Sequence, residues 1–230
     1  PLMTGPFDII GDIHGCAAEL RLLLAKLGWQ PVSVNSKPWG SESWQHPQGR
    51  KAVFVGDLVD RGPAILDVLT IVLNMTLQGH ALSVCGNHDD KLARWLRGRT
   101  VKVTHGLDKS IAELQALPPP HRKAIAAFIE SLPSHLILDN GKLVVAHAGL
   151  REEFHGSDSS QARSLCLYGE TNGKTDDQGL PIRLDWAANY RGEAAVVYGH
   201  TPVESPQWRN NTVNIDTGAV RTIMMGSAPS

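Results

Sequence analysis

The sequence predicts an α/β fold built on a largely parallel sheet. Three short apolar runs, residues 7–10, 51–55 and 81–85, are separated by helical patterns. Each run stops at a glycine and is followed by polar side chains. Strands that alternate with helices argue for parallel pairing. In such sheets the carboxyl ends of the strands form the ligand crevice.

Each element follows in turn. Residues 7–10, closed by Gly11, read as a buried strand. Residues 16–27 carry Leu20, Leu23, Leu24 and Leu27 at helical spacing and end at Gly28. Residues 29–50 are polar and rich in Pro, Ser and Trp, which predicts a loop or ribbon. A second strand over 51–55 precedes a helix over 64–77, opened by Pro63 and stopped near Gly79. The third strand runs into Gly86. Residues 89–132 then turn helical, with segments at 91–96, 109–117 and 121–132 broken by Gly98 and by Pro118, Pro119 and Pro120. They predict a small helical insert capping the sheet. Strands return at 136–138, 143–146, 195–198 and 212–215, and their short turns predict hairpins in a second sheet. Residues 155–180, rich in Gly, Ser and Asp, predict a long surface loop. One domain spanning 1–230 is expected from the length.

Composition narrows the function. With 22 Lys and Arg against 23 Asp and Glu, the net charge is −1, which argues against charge-driven binding to duplex DNA. Three cysteines, Cys16, Cys85 and Cys166, form neither a disulfide framework nor a Cys-x-x-Cys zinc site. The start lacks a signal-peptide pattern, and no apolar run approaches the roughly 20 residues of a membrane span. A cytoplasmic protein without a membrane partner is expected, and no partner protein is evident.

The chemistry gathers where strands end. After the first strand comes "GDIHG", with Asp12 and His14. After the second comes "GDLVDRG", with Asp57, Asp60 and Arg61. After the third comes "GNHD", with Asn87, His88 and Asp89. His147 in "HAG" and His200 in "GHTP" follow later strands, and Asp216 follows "VNI". Taken singly, Asp12 reads as a helix cap, Asn87 as a turn residue and Arg61 as half of an ion pair. Taken together, the five strand ends that carry Asp12, Asp57, Asn87, His147 and His200 would converge on one crevice with only oxygen and nitrogen donors and no thiolate. That donor set suits Mn, Fe, Zn or Mg, and six ligands sharing one Asp would hold two ions.

"GDIHG…GDLVDRG…GNHD", followed by the histidines of "HAG" and "GHTP", resembles the phosphoprotein-phosphatase branch of the calcineurin-like metallophosphoesterases. Within it, "DNGKLVVAHAGL", "LYGET", "YRGEAAVVYGHTPV" and "NNTVNIDTG" look most like the phosphatase domain of bacterial polynucleotide kinase-phosphatase, an RNA-repair enzyme. The resemblance implies a two-sheet β-sandwich flanked by helices. It implies one metal on Asp12, His14 and Asp57, and a second on Asp57, Asn87, His147 and His200. Mn2+ is the expected ion, with Fe, Zn, Ni, Co or Mg as alternatives. His88 would be the general acid oriented by Asp89. Arg61 and Arg191 would grip phosphate, Asp60 would orient Arg61 or a metal-bound water, and Asp216 would support a metal-bound histidine. Two features depart from the family: Asp89 stands where protein phosphatases carry Glu, and the tail "RTIMMGSAPS" does not look like a final paired strand.

The implied activity is hydrolysis of phosphomonoesters, and of some phosphodiesters, by in-line attack of a metal-bridging hydroxide. Candidate substrates include 2′,3′-cyclic nucleotides and RNA or DNA end phosphates. A serine/threonine protein phosphatase and a dinucleoside tetraphosphate hydrolase are the alternatives, with a non-catalytic scaffold last. The stretch holding Lys91, Arg94, Trp95, Arg97, Arg99 and Lys102 reads either as a polynucleotide contact or as a solvated helix face with Trp95 turned inward.

Overall fold

A computed structural model describes residues 3–35, 40–175, 177 and 181–220. The tail 221–230, with its expected irregular last strand, lies outside the described residues. Strand β1 (Phe7–Ile10) leads through helix α1 (Ala17–Lys26) to an antiparallel ribbon, β2 (Gln30–Ser33) and β3 (Glu42–Gln45). Then follow β4 (Lys51–Phe54), α2 (Ile65–Leu77) and β5 (Ala81–Ser83). Helices α3 (Asn87–Leu96), α4 (Leu107–Leu114) and α5 (Pro119–Ser131) form the insert. The second half runs β6 (His135–Leu138), β7 (Leu143–Ala146), α6 (Ser160–Tyr168), β8 (Thr171–Thr175), β9 (Pro181–Arg183), β10 (Ala195–Tyr198), β11 (Gln207–Arg209) and β12 (Thr212–Asn214).

The first sheet has the order β1-β4-β5 and is parallel throughout. The second has the order β11-β12-β10-β7-β6. Hairpins β6–β7 and β11–β12 close its flanks, as expected, but the central pairs β7–β10 and β10–β12 are parallel. The sequence reading as hairpins alone was therefore incomplete. That parallel centre points the carboxyl ends of β7, β10 and β12 the same way.

Strand β4 explains why its sequence is apolar without alternation. Val53 and Val55 face Val145, Val197 and Val213 between the two sheets. Ala52 and Phe54 face the opposite side, into the core under α1 and α2. Successive side chains point to opposite faces, and here both faces are buried. The insert is not a separate cap. Leu92, Leu107, Leu114, Ile125 and Ile129 join the same core as Leu24 of α1 and Leu69 of α2. Glu113 of α4 accepts the N–H groups of Ile65 (3.0 Å) and Leu66 (2.9 Å), satisfying two open donors at the start of α2.

Residues 155–180 also differ from expectation. They contain α6, opened by Ser159, whose hydroxyl accepts the Ala162 N–H at 3.2 Å. Buried Ala162 and Cys166 pack on Ala146 and Leu150. The helix is short and buries only one side, which hid it in a Gly- and Ser-rich context. The basic stretch of α3 is a locally paired face. Arg97 pairs with Glu130 at 2.6 Å, Lys91 donates to Thr104, and Trp95 packs against the core.

The ends of β4 and β5 approach so closely that only glycine fits. A Cβ on Gly86 would lie 2.2 Å from the Asp57 nitrogen, and one on Gly56, at φ +94°, 2.5 Å from the Gly86 nitrogen. Gly86→Ala is expected to destabilise the fold by about 2–3 kcal/mol, read as a lower urea midpoint at an unchanged m-value.

Candidate active site

The carboxyl ends of both sheets meet at one edge. The Asp57 carbonyl accepts the N–H groups of Ile13 (3.2 Å) and His14 (2.8 Å), joining the ends of β1 and β4. The Val55 carbonyl accepts from His147 Nδ1 at 3.1 Å, and the Asp12 carboxylate accepts the His200 N–H at 3.1 Å. These last two bonds tie the second sheet to the first. His14, Asp57, Asp60, Arg61 and His200 all hold positive φ, between 47° and 71°. Side chains with a Cβ disfavour that region, so the site concentrates backbone strain.

Asp57 is the hub. It is 2% exposed. Its Oδ1 accepts the His88 backbone N–H at 3.0 Å, at the positive end of α3. The same oxygen lies 3.4 Å from His147 Nε2, while Oδ2 lies 3.6 Å from His14 Nε2 and 3.9 Å from His88 Nε2. Burial pushes this carboxyl up, but His147, His88, His14 and His200 outweigh it and hold Asp57 well below the usual carboxylate range.

The histidines are aimed by their far nitrogens. His14 Nδ1 donates to the Val59 carbonyl at 2.9 Å, and His147 Nδ1 to that of Val55, leaving each Nε2 lone pair facing the centre. His147 Nε2 lies 3.0 Å from both Asn87 Oδ1 and His200 Nδ1. His200 Nε2 is buried with no hydrogen-bond partner among the described residues. Burial, joined for His200 by the neighbouring His147 and Arg183 charges, holds the imidazole pKa of His147 and His200 below the usual value. His14 is pushed down to about 4, chiefly by burial. Lone pairs facing one another at 3.0 Å fit a cation between them. Two groups, His14 with Asp57 and His88, and Asp57 with His147 and His200, could each hold a metal ion. Asp12 fits as well. Burial, then Asp57 and Asp216, push its carboxyl well up, and a nearby dication would restore its charge.

Asp60 stands against the His88 ring where Asp89 was expected. Asp60 is fully buried, and its Oδ2 accepts from His88 Nδ1 at 2.6 Å. Its Oδ1 accepts the Ser110 hydroxyl of α4 at 2.5 Å. Asp89 does not touch the His88 ring. Its two oxygens accept the N–H groups of Leu58 and Gly86, both at 2.9 Å, because an acid at the third position of α3 reaches back to the helix start. Burial and the Asp57 charge raise Asp89 to about 7. Adjacency in "HD" pointed to the wrong acid. On a helix, neighbouring residues face different ways.

Arg61 Nη2 lies 3.2 Å from His88 Nε2 and donates to it when that nitrogen carries no proton, so the guanidinium and the imidazole edge border the same space. Arg191 is not drawn into the centre in this way. Its Nη1 donates to Ala188 and Tyr190 carbonyls at 2.9 and 2.7 Å, because the 3-10 turn Trp186–Asn189 ends in open carbonyls beside it. Arg183, missed in the sequence, is the arginine whose charge acts on Asp57, His147 and His200. Asp216 lies buried beside Asp12 and accepts the Gly218 N–H at 3.1 Å.

The model of the calcineurin-like phosphoesterase family matches residues 5–223. The chain belongs to that family. This phosphoesterase is a hydrolytic enzyme, which removes the scaffold reading. It is 47% identical to the asymmetrical bis(5′-nucleosyl)-tetraphosphatase PrpE of Anoxybacillus flavithermus, over 93% of this chain and 86% of that one. It is 45% identical to the PrpE of Bacillus subtilis, with the same shares covered. A crystal structure provisionally named a diadenosine tetraphosphatase matches with a TM-score of 0.63 at 28% identity, over 96% of this chain and 87% of that one. A Saccharomyces cerevisiae serine/threonine phosphatase shares the fold, with a TM-score of 0.61 at 18% identity over 91% of this chain and 66% of that one. These relatives are not polynucleotide kinase-phosphatases, so the expected likeness to that enzyme, and with it RNA repair, finds no support. Among the described residues no helix is long and apolar enough to cross a membrane.

Burial lowers His88, but the Asp57 charge and then the Asp60 hydrogen bond outweigh it and raise the imidazole above 6.5. Asp60→Asn is expected to lower that pKa, while Asp89→Asn shifts it less. A 15N NMR titration of the metal-free protein reads both.

Proposed function

We propose that this phosphoesterase hydrolyses dinucleoside tetraphosphates, using two divalent ions bound at the strand ends. The observation that carries the chemistry is the split role of Asp57, whose Oδ2 faces His14 and whose Oδ1 faces His147. The substrate class is supported by the likeness to the PrpE tetraphosphatases over nearly the whole chain.

Asp12, His14 and Asp57 would hold one ion, and Asp57, Asn87, His147 and His200 the other. Oxygen and imidazole donors without thiolate favour Mn2+, with Fe, Zn, Ni, Co or Mg as substitutes. When bound, such ions supply a water of lowered pKa and neutralise phosphate oxygens. The chain's own residues do the rest. Arg61 grips the phosphate with a planar, permanently charged fork. His88 presents Nε2 to the same place and gives its proton to the leaving oxygen. Asp60 keeps the imidazole charged and aimed, and Ser110 keeps Asp60 in place. Asp216 adds negative charge beside Asp12. Asp89 secures the start of α3, and so the position of Asn87 and His88. The three cysteines are free and buried, which suits a reducing compartment such as the cytoplasm.

Metal-loaded enzyme is expected to cleave a dinucleoside tetraphosphate faster than 2′,3′-cyclic nucleotide, 3′-phosphate oligonucleotide or phosphoserine peptide. A preference for any of the other three overturns the substrate reading. Chelation, or Asp57→Ala, should abolish hydrolysis of p-nitrophenyl phosphate, and full activity in a chelated sample would sink the metal model. His88→Ala is expected to slow phenyl phosphate at least tenfold more than p-nitrophenyl phosphate, since the poorer leaving group needs the proton. Equal losses would exclude His88 as the acid.

A further inference from the structure

A cleft of about 600 Å3 opens beside His200, a volume within the range of small-ligand sites. Its floor carries Tyr198, half-buried, whose ring packs edge-on against Trp186 with centroids 5.1 Å apart. One wall is the chain from Arg183 to Trp186, and the other is β11. The two walls are fastened together: Arg209 Nη1 pairs with Asp185 at 2.9 Å, and Asn210 Nδ2 donates to the Ala187 carbonyl at 2.7 Å. Arg183 donates to the Thr201 hydroxyl at the inner end, one residue beyond His200.

Arg183 belongs to both places. It lines the cleft, and its charge reaches Asp57, His147 and His200. It is exposed, so a ligand can reach it. An arginine at the junction between a phosphate-cleaving centre and an aromatic-floored cleft is placed for a phosphate whose other side carries a flat group. The rest of the cleft fits that group. An aromatic floor accepts a base face, and the carboxylates of Asp185 and Glu170 are acceptors suited to ribose hydroxyls. The opposite flank of the centre, around Arg61 and His88, offers cationic donors instead.

We propose that this cleft seats one nucleoside of the substrate. The base lies against Tyr198, and Arg183 grips the phosphate that joins that nucleoside to the rest of the chain. The assignment rests on the reading of the enzyme as a nucleotide hydrolase. It predicts an asymmetric site, with a nucleoside seat on the His200 side and phosphate contacts on the Arg61 side.

The test uses metal-loaded enzyme, with AMP and inorganic phosphate as competing inhibitors of p-nitrophenyl phosphate hydrolysis. Wild-type enzyme is expected to bind AMP at least about tenfold more tightly than phosphate. Tyr198→Leu should reduce that preference about tenfold, the size of a lost base stack. Arg183→Met, at an exposed position that spares the core, should lower kcat/KM on a dinucleoside tetraphosphate at least tenfold more than on p-nitrophenyl phosphate. No AMP preference in the wild type overturns the cleft assignment, as does a preference that survives in Tyr198→Leu or equal losses on both substrates in Arg183→Met. If the AMP preference is present and sensitive to Tyr198→Leu while dinucleoside tetraphosphate is not cleaved, the nucleoside seat stands and the substrate reading of the previous section falls.

Discussion

A single buried carboxylate organises this molecule. Asp57 stands at the end of β4, the middle strand of the first sheet, and the rest of the centre is arranged around its charge. An isolated carboxylate in such a place would be protonated or expelled. Here the N-terminus of α3 donates a backbone N–H to it, and four imidazoles surround it. These groups come from four strand ends, those of β1, β5, β7 and β10. The charge can therefore be kept only if both sheets deliver their ends to one point.

That requirement explains features that look unfavourable locally. Positive φ at five functional residues, and glycine contacts too close for any Cβ, are tolerated because the sandwich behind them is dense. Val53 and Val55 on one side of β4, and Ala52 and Phe54 on the other, lock the strand that carries the strain. The helical insert takes part in the same arrangement. Through Ser110 and Glu113 it holds Asp60 and the start of α2, so a segment distant in sequence governs how His88 is aimed. Stability and chemistry here share the same contacts.

Much of this was legible beforehand. The runs 52–55 and 143–146 are apolar because both faces of their strands are buried, and burial on both faces leaves a strong signal. The glycine and polar residues after each run marked the strand ends, and parallel pairing made those ends neighbours. Other features left weaker traces. Helix α6 hid in a polar, glycine-rich context, where a short element relies on one buried side. The parallel pairing of β7, β10 and β12 could not be told from hairpins, because pairing direction depends on connections and not on the strands themselves.

The residue types of the centre were legible in the sequence, since Asp12, His14, Asp57, Asn87, His88, His147 and His200 all follow apolar runs. The parallel pairing of β7 with β10, which the sequence left open, is what brings His147 and His200 to the edge where β1, β4 and β5 end. Tertiary structure decided which acid serves His88 and which arginine's charge reaches Asp57, His147 and His200. Asp89 adjoins His88 in the chain yet turns back to the helix start, while Asp60, 28 residues away, meets the imidazole. Arg191 is drawn to open carbonyls of its own loop, while Arg183 from β9 reaches the centre. Side-chain partners are chosen by the direction in which each backbone segment aims them. Across packed elements that direction is set by the whole fold, and spacing along the chain does not encode it.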